Sequence, residues 1–191
     1  MKTVRIGLIR HFEVTKPFPS GWVTSQELLQ WLEDYDQAEV IERALELGGI
    51  EWRRCFSSDM SRAYRTAKAA FPGPITQMPE LREPRFTPFQ TGNLRLPFQG
   101  WRWLLRLAWM SSHASQRVMR DEFYSRVRRV TEELLAKAEE DTLVVSHAGV
   151  MIFLRRELLR LGFAGPNFRF AENGRLYVFE KRGYSADVIR R

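Results

Sequence analysis

The sequence predicts an α/β fold in three layers, a mostly parallel sheet carrying helices on both faces. Apolar runs rich in β-branched residues alternate along the chain with segments whose apolar positions recur at helical spacing. One run, "DTLVVS", has the unbroken apolar centre Leu143, Val144 and Val145 expected of a strand buried on both faces. The 191 residues, 44% hydrophobic and 13% aromatic, suffice for one sizeable core. No internal repeat, low-complexity tract or linker divides them, so a single domain is expected over residues 1–191.

In order, Thr3 to Ile9 reads as the first strand, stopped by Arg10 and His11. After a proline-containing loop, Thr24 and Glu27 have the spacing of a capping box, opening a helical region expected to run to Gly48 and Gly49 with a break near Tyr35. "WRRCFSSDM" gives a short strand whose Ser57, Ser58 and Asp59 are N-cap candidates for a helix with Met60, Ala63, Tyr64 and Ala67 on one face. Pro72, Gly73 and Pro74 end it, and residues 75 to 79 suit another strand. Pro84, Pro88 and Pro97 mark Arg82 to Gly100 as irregular. Helices follow at Trp101 to Met110 and from about Ser115 to Glu140. The "DTLVVS" strand then leads through His147 into a helix from Val150 to Leu161 closed by Gly162, and strands at Arg175 to Lys181 and Ser185 to Ile189 complete the chain.

The formal net charge of +7 suggests attraction to anions without choosing among phosphate esters, nucleic acid and acidic lipid. A lone Cys55 excludes an internal disulfide framework and a multi-cysteine zinc site, and it suits a reducing compartment, so the expected location is cytoplasmic. No segment approaches membrane-spanning length, and the apolar stretch after Lys2 and Arg5 is too short for a signal peptide.

Three segments share one design: "LIRH", "FSSDMSR" and "VVSHAG" each pass from an apolar strand into polar residues. In an open α/β sheet such carboxyl ends lie along one edge, where ligands bind. Arg62 stands in a first helical turn, and its side chain leans back toward the strand end. Helix amino ends after Ser58 and His147 add N–H groups at the same edge. Two arginines, two histidines and these termini suit a dianionic phosphoryl group. An imidazole is also a competent nucleophile near neutral pH, and a departing alkoxide would require an acid.

These residues resemble the histidine phosphatase superfamily, also called the phosphoglycerate mutase-like family. "LIRHFEVT" is similar to its Arg-His-Gly signature, "SSDMSRAYRTA" to its second motif, "VVSHAGVM" to its third, and "ELREPRF" to the Leu-x-Glu segment that supplies an acid. The motifs stand in the family's order and span Ile6 to about Met151. The resemblance implies a phosphoglycerate mutase-like fold and a metal-independent, cofactor-free phosphomonoesterase acting on a small phosphorylated substrate. By position it makes His11 the nucleophile, Arg10, Arg62 and His147 the holders of the phosphoryl oxygens, and Glu83 the acid and then the base. Two departures stand out. Phe12 replaces the family's glycine, so it must keep φ negative or carry strain, and Thr15, Lys16 and Pro17 stand near where mutases tend to carry an asparagine. "PRFTPFQTG" also departs from the mutase pattern, which favours phosphatase over phosphomutase.

Plainer readings compete. Glu80 and Glu13 are rivals to Glu83, Arg65 reads as a solvated helix charge, His113 as a surface residue, and Cys55 as a buried small side chain. The Trp- and Arg-rich stretch 101–109 suits a cap over the site, within an insertion at about 82–115, in preference to membrane-surface binding. Seven arginines between Trp101 and Arg129 also admit a nucleic-acid surface, although no nucleic-acid-binding motif accompanies them. The non-enzymatic rival is a protein that binds a phosphate ligand or nucleic acid without turnover.

Overall fold

Strand β1 (Thr3–Arg10) pairs with a parallel neighbour on one side and an antiparallel one on the other. The computed structural model describes residues 3–84, 89, 91–136 and 140–183. After β1 come the two-residue strands β2 (Glu13–Val14) and β3 (Trp22–Val23), helix α1 (Ser25–Gln37), and β4 (Val40–Ile41). Next are β5 (Arg54–Ser57), α2 (Ser61–Ala70), β6 (Ile75–Gln77), a 3-10 turn at Pro79–Leu81, and β7 (Leu96–Pro97). Helices α3 (Phe98–Met110) and α4 (Ala114–Ala136), strand β8 (Thr142–Ser146), helix α5 (Ala148–Arg160) and strand β9 (Leu176–Arg182) complete the order.

The main sheet runs β6-β5-β8-β1-β9, parallel except for β9, and two short antiparallel pairs, β2 with β4 and β3 with β7, lie apart from it. The mostly parallel α/β architecture predicted from the sequence is therefore observed. Alternation along the strands divides the core between two faces. Ile6, Leu8 and Val144 join Phe123, Val127, Met151 and Leu154 of α4 and α5. Ile9, Leu143 and Val145 join Ala63, Ala67 and Ala70 of α2, with Trp52. Gly7 shares this second face because a Cβ there would lie 2.7 Å from the Trp52 ring. A third cluster, Leu28, Phe98, Trp101 and Leu105, holds α3 against α1.

The local expectations are met in part. The capping box closes as expected, with the Glu27 N–H on Thr24 Oγ1 at 3.2 Å and the Thr24 N–H on Glu27 Oε2 at 2.7 Å. The helix it opens ends at Gln37, short of Gly48, because Ala38 is extended and Val40 and Ile41 pair with β2. The N-cap of α2 is Met60 and has no side-chain cap, in place of the expected Ser57, Ser58 or Asp59. Ser58 Oγ lies outside the helix, accepting the Met60 N–H at 3.3 Å and facing His147. The strand expected at 75–79 stops at Gln77, and α5 starts two residues earlier than predicted, directly after His147. The second half of the expected final strand pair lies outside the described residues.

Candidate active site

Strands β5, β8 and β1 are consecutive in the sheet, with Ser57 opposite Val145 and Arg10 opposite Ser146. Their carboxyl ends therefore lie abreast, and the residues that follow them, Ser58, His147 and His11, meet at one edge. The rings of His11 and His147 are 5.0 Å apart, centroid to centroid, inclined at 59°. Both side chains are buried.

His11 is fixed by its backbone and its ring. Its N–H donates to Ser146 O at 3.0 Å, its carbonyl accepts from Asn173 Nδ2 at 2.8 Å, and ring Nδ1 lies 2.6 Å from Phe12 O. A carbonyl only accepts, so Nδ1 carries the proton and Nε2 keeps its lone pair. Desolvation, then the charges of Arg62 and Arg10, lower the imidazole to about 3, which keeps it neutral. His147 Nε2 lies 3.0 Å from Ser58 Oγ. That hydroxyl also accepts from Met60 N–H, so one oxygen ties the turn before α2 to the His147 ring. Burial, His11 and the neighbouring arginines hold His147 well below the usual histidine range.

Arg10 donates to Ala171 O at 2.9 Å and lies over the Phe170 ring, while desolvation lowers its guanidinium from the ordinary value. Arg62 pairs with Asp36 at 2.8 Å from within the first turn of α2, reaching the strand ends as its direction on the helix predicts. Arg10 Nε, Arg62 Nε and His147 Nδ1 are buried nitrogens with no hydrogen-bond partner. Two unsatisfied guanidinium donors close enough to depress the His11 imidazole suit an anion that supplies acceptors.

Glu83 is partly accessible as a residue, yet its carboxyl is packed deeply enough for desolvation to raise it to about 7, against the opposing pull of the Gly149 N–H, Arg10, Arg62 and Arg126. Gly149 N–H, in the first turn of α5, reaches Glu83 Oε1 at 3.0 Å. A Cβ on Gly149 would lie 2.3 Å from the same oxygen, so only glycine admits the carboxyl there. The loop carrying Glu83 is pinned at three points: Ser146 Oγ donates to Leu81 O at 2.8 Å, Arg126 donates to Arg82 O at 2.8 Å, and the Arg82 side chain pairs with Asp59.

All five residues singled out in the sequence thus converge. Of the rivals, Glu13 is exposed on β2, Glu80 lies in the 3-10 turn at Pro79–Leu81 and is not among the cavity-lining residues, and Arg65 forms a surface pair with Glu39. His113 is exposed, and Cys55 is a buried thiol pushed up to about 12 by desolvation. Phe12 has no positive φ and is fully buried, its N–H donating to Thr66 Oγ1 at 2.8 Å. Sequence reasoning missed Asp36, Ser58, Thr66, Gly149 and Asn173. Of these, Gly149, within "SHAG", and Ser58, directly after an apolar run, carried a local signal.

The chain belongs to the histidine phosphatase superfamily (branch 1), whose profile matches residues 32–190. Arg62, Glu83 and His147 fall within that span, and Arg10 and His11 precede it. The chain is similar in fold to phosphoglycerate mutase from Bacillus anthracis str. Sterne, at 16% identity and TM-score 0.59, covering 94% of this chain and 88% of that one. It is also similar to a structure described as mycobacterial hydrolase 1, at 19% identity and TM-score 0.55, covering 91% and 99%. A third relative is a mycobacterial glucosyl-3-phosphoglycerate phosphatase, at 21% identity and TM-score 0.53, covering 83% and 81%. No curated protein sequence matches the chain. Among the described residues no helix is long and apolar enough to cross a membrane.

Proposed function

We propose that this protein is a phosphomonoesterase that works through a phosphohistidine on His11 and needs no metal. The carrying observation is the contact of His11 Nδ1 with Phe12 O at 2.6 Å, which leaves Nε2 unprotonated and available. In the first step Nε2 attacks phosphorus and the bond to the ester oxygen breaks. Glu83, uncharged below about 7, gives its proton to the departing oxygen. In the second step the Glu83 carboxylate takes a proton from water, the water oxygen attacks phosphorus, and the P–N bond breaks to release phosphate and neutral His11. Arg10, Arg62 and His147 hold the phosphoryl oxygens, which supply the acceptors that the buried Arg10 and Arg62 donors lack. The domain extends over residues 1–191, with 82–115 as an insertion contributing the acid loop and a cap, and it acts in the cytoplasm on small phosphorylated substrates.

The test is release of phosphate from 4-nitrophenyl phosphate in the presence of EDTA, by wild type and His11→Ala. Wild-type turnover that survives EDTA and disappears in the variant is expected. Metal-dependent turnover, or equal rates in both, overturns the reading. Transfer of the phosphoryl group back to an acceptor alcohol in preference to water makes the enzyme a phosphomutase.

A further inference from the structure

A cavity of about 570 Å³ opens beside the phosphoryl site, with Arg62 and Glu83 in its wall. Its volume suits an organic molecule well beyond a phosphate ion. On the proposed reading the ester oxygen sits at Glu83, so this cavity receives the alcohol portion of the substrate. Its character follows from which wall groups are already engaged. Arg62 is paired with Asp36 and Arg82 with Asp59, while Arg126 donates to the backbone of the acid loop. Arg126 keeps its charge in this wall, since it bonds backbone carbonyls, and it stands there with the exposed Glu33 and Glu122, so the wall carries both signs. Beside Tyr35 and Pro84, the remaining wall is apolar: Leu29 and Leu32 from α1, Met119 and Phe123 from α4, and Met60 ahead of α2.

We infer that this cavity is a leaving-group subsite selective for phosphate monoesters of bulky, largely apolar alcohols over those of small or strongly polar ones. The inference rests on the phosphomonoesterase reading for its orientation, while the apolar selectivity follows from the cavity wall. Leu29 is half exposed on α1, so a larger side chain there can enter the cavity without disturbing the buried core.

Two measurements separate the subsite from the chemistry. The first compares kcat/KM for 1-naphthyl and phenyl phosphate, whose leaving alcohols are of similar acidity, and for glycerol 3-phosphate and 3-phosphoglycerate. Burial of the second ring should favour the naphthyl ester by about tenfold. Glycerol 3-phosphate and 3-phosphoglycerate should both fall below the naphthyl ester, and Leu29→Trp should collapse the naphthyl-to-phenyl ratio toward one. A wild-type ratio near one, a ratio unmoved in Leu29→Trp, or 3-phosphoglycerate as the best ester overturns the subsite. The second measurement is calorimetric binding of 1-naphthylmethylphosphonate against methylphosphonate, which needs no turnover. Preferential binding of the naphthyl compound without hydrolysis of any ester keeps the subsite and sinks the phosphatase reading. Equal binding of the two phosphonates overturns the subsite whether or not the protein is an enzyme.

Discussion

At the strand ends, each group of the candidate site is held by a neighbour: Arg10 by Ala171 O, Arg62 by Asp36, His147 by Ser58, and Glu83 by Gly149. The neighbouring cavity is walled on its far sides by side chains of α1 and α4, apolar Leu29, Leu32, Met119 and Phe123 among them. The first region derives its geometry from backbone hydrogen bonding between parallel strands, and the second from the placement of two helices. Chemistry in such a molecule is fixed by the sheet, while selectivity can change by exchanging apolar helix residues.

The sharpest way to break this contrast is at the nucleophile. His11→Ala should lower kcat by about 10⁴-fold or more, measured as phosphate release, whereas truncations in the cavity leave kcat for small esters much closer to wild type. Arg62→Met should cost about 10²- to 10³-fold, since it removes charge stabilisation at the reacting group and leaves Asp36 unpaired in its half-buried position.

The acid defines a pH profile. His11 must be neutral, which holds above about 3, and Glu83 must be protonated, which holds below about 7. For the free enzyme kcat/KM should therefore be high between these values and fall as pH rises through about 7. Glu83→Gln should remove that alkaline limb and slow alkyl esters, which need protonation, by about 10²- to 10⁴-fold, with much less effect on 4-nitrophenyl phosphate. The same group affects stability with a defined sign. A carboxyl whose folded value is raised makes the folded state bind more protons, so stability declines as pH rises from the unfolded value of 4.5 to about 7. Thermal melts above pH 7 should accordingly show Glu83→Gln as the more stable protein.

Smaller effects follow at the margins. Gly149→Ala should displace the Glu83 carboxyl and reduce alkyl-ester turnover by about tenfold, with a shifted alkaline limb in the pH profile. Arg65→Ala, which loses an exposed pair with Glu39, should change stability by less than about 0.5 kcal/mol in a denaturant titration and leave activity intact.

The contrast between the two regions also decides what the sequence could disclose. Arg10, His11, Ser58 and His147 follow apolar runs directly, so strand direction alone sends them to one edge. Arg62 follows from its position in a first helical turn. Glu83 was legible only through its Leu-x-Glu resemblance, because its placement depends on Ser146 and Arg126, far away along the chain. Asn173 and Thr66 reach the His11 loop from elsewhere in the sequence, and neither has a local pattern that announces the contact. The cavity was the least legible feature, since it is lined by α1 and α4, helices far apart in the sequence. The α1 boundary was misjudged for a related reason: long-range pairing with β2 overrides the helical periodicity after Gln37.

Thr66 accepts the Phe12 N–H and donates to Arg62 O at 2.7 Å, so one hydroxyl ties the segment after His11 to the turn bearing Arg62. Both bonds are fully buried, and neither can open without exposing the interior. Heat inactivation and loss of the fold should therefore share one barrier, with no population of molecules that are folded but have a slack nucleophile.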